Sequence, residues 1–123
     1  MPHIILEFSA DFSAELAQNL AKKVQQHFVT LAPEGNFDVN QCKFRFLSFT
    51  DYFVGLNNQS KASFAHLTIK ILAGRTLEVQ KKLTELCLQS MQEIYLNQKS
   101  RVDFSVDLIE MTKETYQKTT INL

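Results

Sequence analysis

The sequence has little of several features that mark a class of protein at once. It carries 13 basic and 13 acidic residues, so its formal net charge is zero. Binding to nucleic acid or to an anionic membrane usually requires a basic excess, so this balance argues against both partners. No stretch approaches the ~20 apolar residues of a membrane helix, and no signal-peptide pattern precedes the first predicted strand. We therefore expect a cytoplasmic protein that binds neither nucleic acid nor membranes.

The chain is also poor in residues that build metal and disulfide sites. Its two cysteines, Cys42 and Cys87, fall in different predicted elements and lack the spacing of a metal or redox motif. We expect both to be reduced, structural thiols. His3, His27 and His66 show no metal-ligand spacing and are interpreted as structural. Because nothing resembles a metal or nucleotide site, no cofactor is expected.

The beginning of the chain is the most informative feature that is present. Met1 and Pro2 lead directly into the strand-like run His3–Phe8. A small second residue favours removal of the initiator methionine, which would leave Pro2 with a free secondary amine. An α-amino group titrates near ~8, and desolvation or a neighbouring cation lowers its pKa, so such a group can act as a general base. The alternative is that Pro2 merely begins a strand where no N–H is needed.

Apolar residues spaced by four predict two helices. Ser13 and Thr76 are the expected N-caps, and Pro-Glu-Gly-Asn at 33–36 is expected to break the first helical pattern. The apolar stripes comprise Leu16, Leu20, Val24 and Phe28 in the first helix, and Val79, Leu83, Cys87 and Met91 in the second. Further strands are predicted at Gln41–Phe49, Phe64–Leu72 and Val102–Ile109.

The second half of the sequence repeats the first at an offset of about 63 residues, so that His3–Leu6 corresponds to His66–Ile69. The pseudo-repeats cover about 2–62 and 63–112, with a C-terminal segment at 113–123. Two β-α-β units of this kind predict an α+β fold, a four-stranded mixed sheet with both helices on one face. Because the strand at 64–72 is apolar on much of both sides, we expect the uncovered face to be apolar and buried in an oligomer.

Three segments give the chain a family resemblance: Met1–His3, Phe64–Lys70 and Ala73–Glu78. At these separations they resemble the 5-carboxymethyl-2-hydroxymuconate isomerase family of the tautomerase superfamily, over nearly the whole length. The resemblance implies a single tautomerase-like domain at 1–123, assembled as a homotrimer with a cofactor-free active site around the N-terminal proline. It also implies an isomerase that converts an unsaturated enol or dienol dicarboxylate to its conjugated ketone in bacterial breakdown of homoprotocatechuate, an aromatic compound.

Arg75 is the first candidate for binding a substrate carboxylate. It follows Gly74 where a strand passes into a helix, and free backbone N–H groups at a helix N-terminus attract anions. A guanidinium adds a planar, two-pronged donor suited to a carboxylate. The alternative is an ordinary solvated loop arginine. The resemblance favours the first interpretation, since family members carry a substrate-binding arginine in the same segment.

Lys43 and Arg45 are the other candidates. They alternate with Phe44 and Phe46, so they share one face of the predicted strand. Together they could hold a second carboxylate and lower the pKa of a nearby amine, or they could simply be basic residues in water. The resemblance implies arginines at both positions, so Arg45 matches and Lys43 departs from the pattern. That departure bears on which substrate is bound more than on the type of reaction.

The resulting hypothesis is an isomerase with Pro2 as catalytic base and with Arg75, Arg45 and Lys43 as substrate-binding residues. Two alternatives stay open. One is another reaction of the same amine, such as decarboxylation or hydrolytic dehalogenation of an unsaturated acid. The other is a non-catalytic oligomer that binds small acids, which retention of Met1 would favour because an acylated proline nitrogen has no basic lone pair. The C-terminal segment, which contains Tyr116-Gln117-Lys118, is expected to pack along neighbouring subunits.

Overall fold

The computed structural model describes residues 2–56, 62–95 and 101–122. A strand–helix–strand unit occurs twice along the chain, and short 3₁₀ turns lie at Val39–Gln41 and Lys113–Thr115. The elements are β1 (His3–Ser9), α1 (Ala14–Gly35), β2 (Lys43–Phe49), β3 (Ser63–Leu72), α2 (Leu77–Ile94) and β4 (Val102–Met111). The predicted fold class, a mixed four-stranded sheet with two helices, is confirmed.

The sheet has the strand order β2-β1-β3-β4. Strands β1 and β2 are parallel, as are β3 and β4, and the two units meet through the antiparallel pair β1–β3. In that central pair His3 lies opposite Lys70, and Glu7 lies opposite His66. Residue His66 follows His3 by the repeat offset, and Lys70 follows Glu7 by the same offset, so each pair is the repeat counterpart of the other. The pairing of β1 with β3 therefore has approximate twofold symmetry.

Both helices begin at the residues expected from sequence. The Ser13 hydroxyl accepts the N–H of Leu16, and the Thr76 hydroxyl accepts that of Val79, each at 3.2 Å. The first helix ends later than the pattern indicated, because it continues through Pro33 to Gly35. A proline in the last turn removes only one backbone hydrogen bond. No helix in the described ranges is long and apolar enough to cross a membrane.

The core lies between the helices and one face of the sheet. Alternate residues of β1 and β3 are buried there, as the period of two requires. They meet the apolar stripes of the two helices, whose predicted members are buried except for the half-buried Leu16. The buried strand residues are Ile4, Leu6 and Phe8 on β1, and Ala65, Leu67, Ile69 and Ile71 on β3.

The uncovered face of the sheet is more polar than expected. On β3 the residues between the buried ones include His66, Thr68 and Lys70, which are half-buried within the chain. On β4 the same face presents Ser105 and Asp107, at positions opposite His66 and Thr68. Apolar side chains lie on this face as well, among them Leu47 on β2 and Ile109 on β4, which are exposed in the single chain. The uncovered face is therefore mixed, and its burial in an oligomer stays a prediction.

Candidate active site

Pro2 lies at one edge of the sheet, where β1 and β2 begin and β3 and β4 end. Its side chain is fully buried, and its carbonyl accepts the backbone N–H of Lys43 at 3.0 Å. Pro2 is therefore held between the core and the first residue of β2. Any amine at this nitrogen would have a fixed position.

Three cationic side chains surround His3, the residue after Pro2, on the uncovered face. Lys43 on β2 and Lys70 on β3 lie directly opposite His3 in the sheet. An Arg45 terminal nitrogen (Nη1) lies 3.2 Å from Nδ1 of His3. Burial of the ring, followed by the charges of Arg45 and Lys43, lowers the pKa of His3 below its ordinary value. The predicted sharing of one face by Lys43 and Arg45 is confirmed, and their cluster adjoins Pro2.

Donor chemistry decides which nitrogen of His3 carries the proton. Arginine has only donors, so Nδ1 of His3 must accept from Arg45. The neutral ring then has its proton on Nε2, which donates to the Tyr116 hydroxyl at 2.8 Å. Because the Tyr116 oxygen accepts this bond, its own proton is available for another acceptor.

Arg75 lies at the same edge, but on the side of the helices. Its Nε and one terminal nitrogen (Nη2) donate to the carbonyls of Gly35 and Asn36, each at 2.8 Å, and the other (Nη1) donates to Leu72 at 3.1 Å. The guanidinium carbon also lies 5.0 Å from the centre of the Phe37 ring. Arg75 therefore holds the end of α1 against the turn after β3, a role that sequence reasoning missed.

The structure consequently divides the predicted substrate-binding residues into two groups. Lys43 and Arg45 are clustered with His3, whereas the Arg75 guanidinium bonds the end of α1 and the end of β3. Two of the five guanidinium N–H donors of Arg75 remain for a ligand. Arg75 also lines a cavity of about 180 Å³ with Gly74 and Lys113. Its role in substrate binding stays a prediction.

The C-terminal segment adds residues that the sequence did not assign to the site. It forms a groove of about 650 Å³ with His3, Gln41 and Lys43. Tyr116 contacts His3 as described, and Lys118 donates to the side-chain oxygen of Gln41 at 2.5 Å. The only signal for this arrangement was an aromatic and a basic residue close together in a tail without apolar periodicity.

The other histidines and the cysteines make contacts away from this edge or within the core. His27 bonds the Ser90 hydroxyl between the two helices, and His66 bonds the Ser105 hydroxyl, each at 2.6 Å. Both cysteines are free, and burial raises the pKa of Cys87 to about 12. None of these groups therefore joins the cluster around His3.

Solved structures of other proteins share this fold. A 5-carboxymethyl-2-hydroxymuconate isomerase from Deinococcus radiodurans R1 has a TM-score of 0.87 and 19% identity, over 98% of this chain and 90% of that one. A fused 4-OT symmetric trimer has a TM-score of 0.70 and 14% identity, over 90% and 86%. FG41 malonate semialdehyde decarboxylase inhibited by 3-bromopropiolate has a TM-score of 0.69 and 17% identity, over 95% and 88%. The two β-α-β units define a protein with the tautomerase fold.

A more particular assignment comes from the sequence as a whole. The model of the 5-carboxymethyl-2-hydroxymuconate isomerase family matches residues 2–122. The chain belongs to this family of isomerases within the tautomerase superfamily, which confirms the resemblance carried by its three segments. No curated protein matches the sequence.

Proposed function

We propose that the protein is a cofactor-independent tautomerase with Pro2 as its proton-transfer base. Its substrate would be an unsaturated enol or dienol acid with at least two carboxylates, of the kind met in bacterial breakdown of homoprotocatechuate. The 5-carboxymethyl-2-hydroxymuconate of the family's name has three. The observation that carries this proposal is the fixed position of Pro2 beside the cations around His3. The proposed base and the cations that would bind an acid thus lie at the same edge of the sheet.

The surroundings of Pro2 suit a base that works near neutral pH. After removal of Met1 the nitrogen would be a secondary amine next to a buried ring. Desolvation and the nearby charges of Lys43, Arg45 and Lys70 would all disfavour its protonated form. The amine would then be unprotonated and ready to accept a proton at working pH.

The reaction transfers one proton and needs no oxidant or reductant. The Pro2 nitrogen would take the proton of the enol hydroxyl, forming an N–H bond as the O–H bond breaks. The electron pair shifts along the conjugated system, and the new ammonium returns the proton to carbon at its far end. Positive charge on Arg45 would stabilise the negative charge that builds on oxygen during this transfer.

Two carboxylates would be held by different parts of the edge. Arg45 uses one N–H on His3 and keeps the others for an anion, and Lys43 lies beside it in the cluster. Arg75 would bind the other carboxylate with the two N–H groups that do not bond backbone carbonyls. A substrate at the edge of the sheet would lie between these two groups, next to Pro2.

We also propose that the protein is a homotrimer. The fold is shared with a fused 4-OT that forms a symmetric trimer, and the uncovered face of the single chain exposes apolar side chains, including Leu47 and Ile109. Light scattering should give about three times the 14.2 kDa mass of the chain. A stable monomer would contradict this assembly.

Replacement of Pro2 tests the proposed function. Pro2→Ala keeps a free amine but makes it primary and more mobile, so enol-to-ketone turnover should fall by roughly two orders of magnitude or more. Pro33→Ala is the matched control, because Pro33 lies in the last turn of α1 and should leave turnover unchanged. Intact mass must show loss of Met1 in both variants. Full turnover in processed Pro2→Ala would exclude Pro2 as the base.

One alternative has support from a structural neighbour. The same fold occurs in a malonate semialdehyde decarboxylase, so the amine could serve another reaction on a small acid. Malonate semialdehyde should therefore be assayed beside an enol dicarboxylate. Decarboxylation without enol turnover would replace the isomerase proposal.

A further inference from the structure

Two lysine ammonium groups are held by the same residue in the groove under the C-terminal segment. The Lys43 ammonium donates to the backbone carbonyl of Gln41 at 3.2 Å, and the Lys118 ammonium donates to its side-chain oxygen at 2.5 Å. The ion pairs within the described ranges involve other residues, Lys23 with Glu93 and Arg101 with Asp103. Two like charges are thus bonded to one residue, and no carboxylate among the described residues forms an ion pair with either of them.

The groove is also rich in unused hydrogen-bond donors. An ammonium group has three N–H donors, so Lys43 and Lys118 each keep two after their bonds to Gln41. The Tyr116 hydroxyl accepts from His3 and retains its own proton to donate. No acidic residue is among the described residues that line the groove, which are His3, Gln41, Lys43 and 116–121. An anion is the ligand that this set of groups would stabilise.

The groove lies next to the proposed base. Lys43 donates its backbone N–H to the carbonyl of Pro2, and His3 in the groove wall follows Pro2 directly. One small molecule could therefore reach both the Pro2 nitrogen and the two ammonium groups. A single lysine cannot form the two parallel N–H bonds of a guanidinium, and Lys118 supplies the second donor here.

We propose that this groove is a carboxylate subsite and that Lys118 and Tyr116 determine specificity for diacids. The subsite holds a carboxylate that is remote from the reacting end of the substrate, while Lys43 provides its third contact. This identification of the anion rests on the proposed function. The geometry of the two ammonium groups does not depend on it.

The test compares two probes that share a six-carbon diene and differ in one carboxylate. Isothermal titration calorimetry would measure binding of trans,trans-muconate, a diacid, and of sorbate, a monoacid, at one fixed low ionic strength. In full-length Lys118→Gln, muconate should bind about five- to tenfold more weakly and sorbate less than twofold. Tyr116→Phe should weaken muconate binding about threefold. Lys82→Gln, an exposed lysine on α2, is the control and should bind both probes as the wild type does.

A turnover assay with 2-hydroxymuconate on the same samples separates this inference from the proposed function. Lys118-dependent muconate binding in a protein without enol turnover would support the subsite and remove the isomerase. Normal turnover with unchanged muconate affinity in Lys118→Gln would remove the subsite and leave the isomerase. Equal losses for muconate and sorbate, or no muconate binding to the wild type, would also overturn the subsite.

Discussion

The two halves of the uncovered sheet face have the same backbone arrangement and opposite charge. His3 in the first half corresponds to His66 in the second, and each occupies the same place in the register of the sheet. The residues at matching positions are Lys43, Arg45 and Lys70 around His3, and Ser105, Asp107 and Glu7 around His66. One half is basic, whereas the other is acidic or neutral.

This difference shows that the two repeats share a backbone fold, and that only their side chains distinguish the candidate site from its counterpart. His3 accepts from Arg45, while His66 is bonded to the small hydroxyl of Ser105. Only the basic half adjoins Pro2, whose counterpart at the repeat offset is Ala65, buried inside the sheet. The fold offers two equivalent positions, and the sequence places a cluster of cations at only one of them.

A second pair of matching positions explains the structural role of Arg75. At the repeat offset Arg75 corresponds to Phe12, and each follows a strand just before a helix. Arg75 lies over the Phe37 ring beyond the end of α1, whereas Phe12 packs on the Tyr95 ring at the end of α2, with 4.1 Å between ring centres. Both side chains therefore tie the beginning of one helix to the end of the other.

The largest expected effect is a loss of stability, and its size should differ between the Phe12 contact and the Arg75 contact. Phe12→Ala should lower the free energy of unfolding by about 3–5 kcal/mol, because it leaves a cavity beside Tyr95. Arg75→Ala should cost less, about 1–3 kcal/mol, since Arg75 is only half-buried and water can replace part of its hydrogen bonding. Chemical denaturation measures both values. An unchanged stability in Arg75→Ala would show that Arg75 does not hold the end of α1.

The same Arg75 variant tests whether this residue also binds substrate. If it does, Arg75→Ala should reduce kcat/KM for a dicarboxylate roughly ten- to a hundredfold, mainly through KM, with a smaller loss for a monocarboxylate. Steady-state kinetics on matched diacid and monoacid enols provide the measurement. Equal losses for the two substrates would leave Arg75 with its structural role alone.

Matched substitutions in the two halves of the sheet test the charge comparison. Arg45→Gln should lower kcat/KM for an enol dicarboxylate about tenfold, because it removes a charged donor from the basic cluster. Asp107→Asn changes the charge at the corresponding position in the other half and should leave kcat/KM within about twofold. Similar losses in both variants would mean that the asymmetry of charge has no bearing on catalysis.

The smallest expected effect concerns the titration of His3. Burial and the charges of Arg45 and Lys43 lower its pKa in the folded protein, so the unfolded chain binds more protons as pH falls through the ordinary value near ~6.5. Neutral His3 therefore contributes stability above that pH, and the contribution is lost on acidification. NMR titration should show a higher His3 pKa in Arg45→Gln than in the wild type. An unchanged pKa would contradict the Arg45–His3 contact.

Much of the fold was predictable because its signals are local. Helix caps at Ser13 and Thr76, stripes spaced by four and alternating strands each follow from a few neighbouring residues. The uncovered face was predicted only in part: its apolar residues were expected, but the polar stretch His66, Thr68 and Lys70 in the middle of β3 was not.

The site was less predictable because its contacts join distant parts of the chain. Pairing of Lys43 with Arg45 follows from strand alternation, but the bond from His3 to Tyr116 spans 113 residues. The position of Arg75 depends on where α1 ends, and α1 continued past Pro33. Neither Lys118 nor Tyr116 carries a pattern that would place it beside Lys43.

The proposed function depends above all on a free amine at Pro2, which intact mass and turnover can test in one preparation. Protein from its native host should be measured by mass spectrometry and assayed for enol-to-ketone conversion. We expect that active protein has lost Met1 and that turnover is proportional to the processed fraction. Full turnover by protein that retains Met1 would contradict the proposed function, because the Pro2 nitrogen would then be an amide without a basic lone pair.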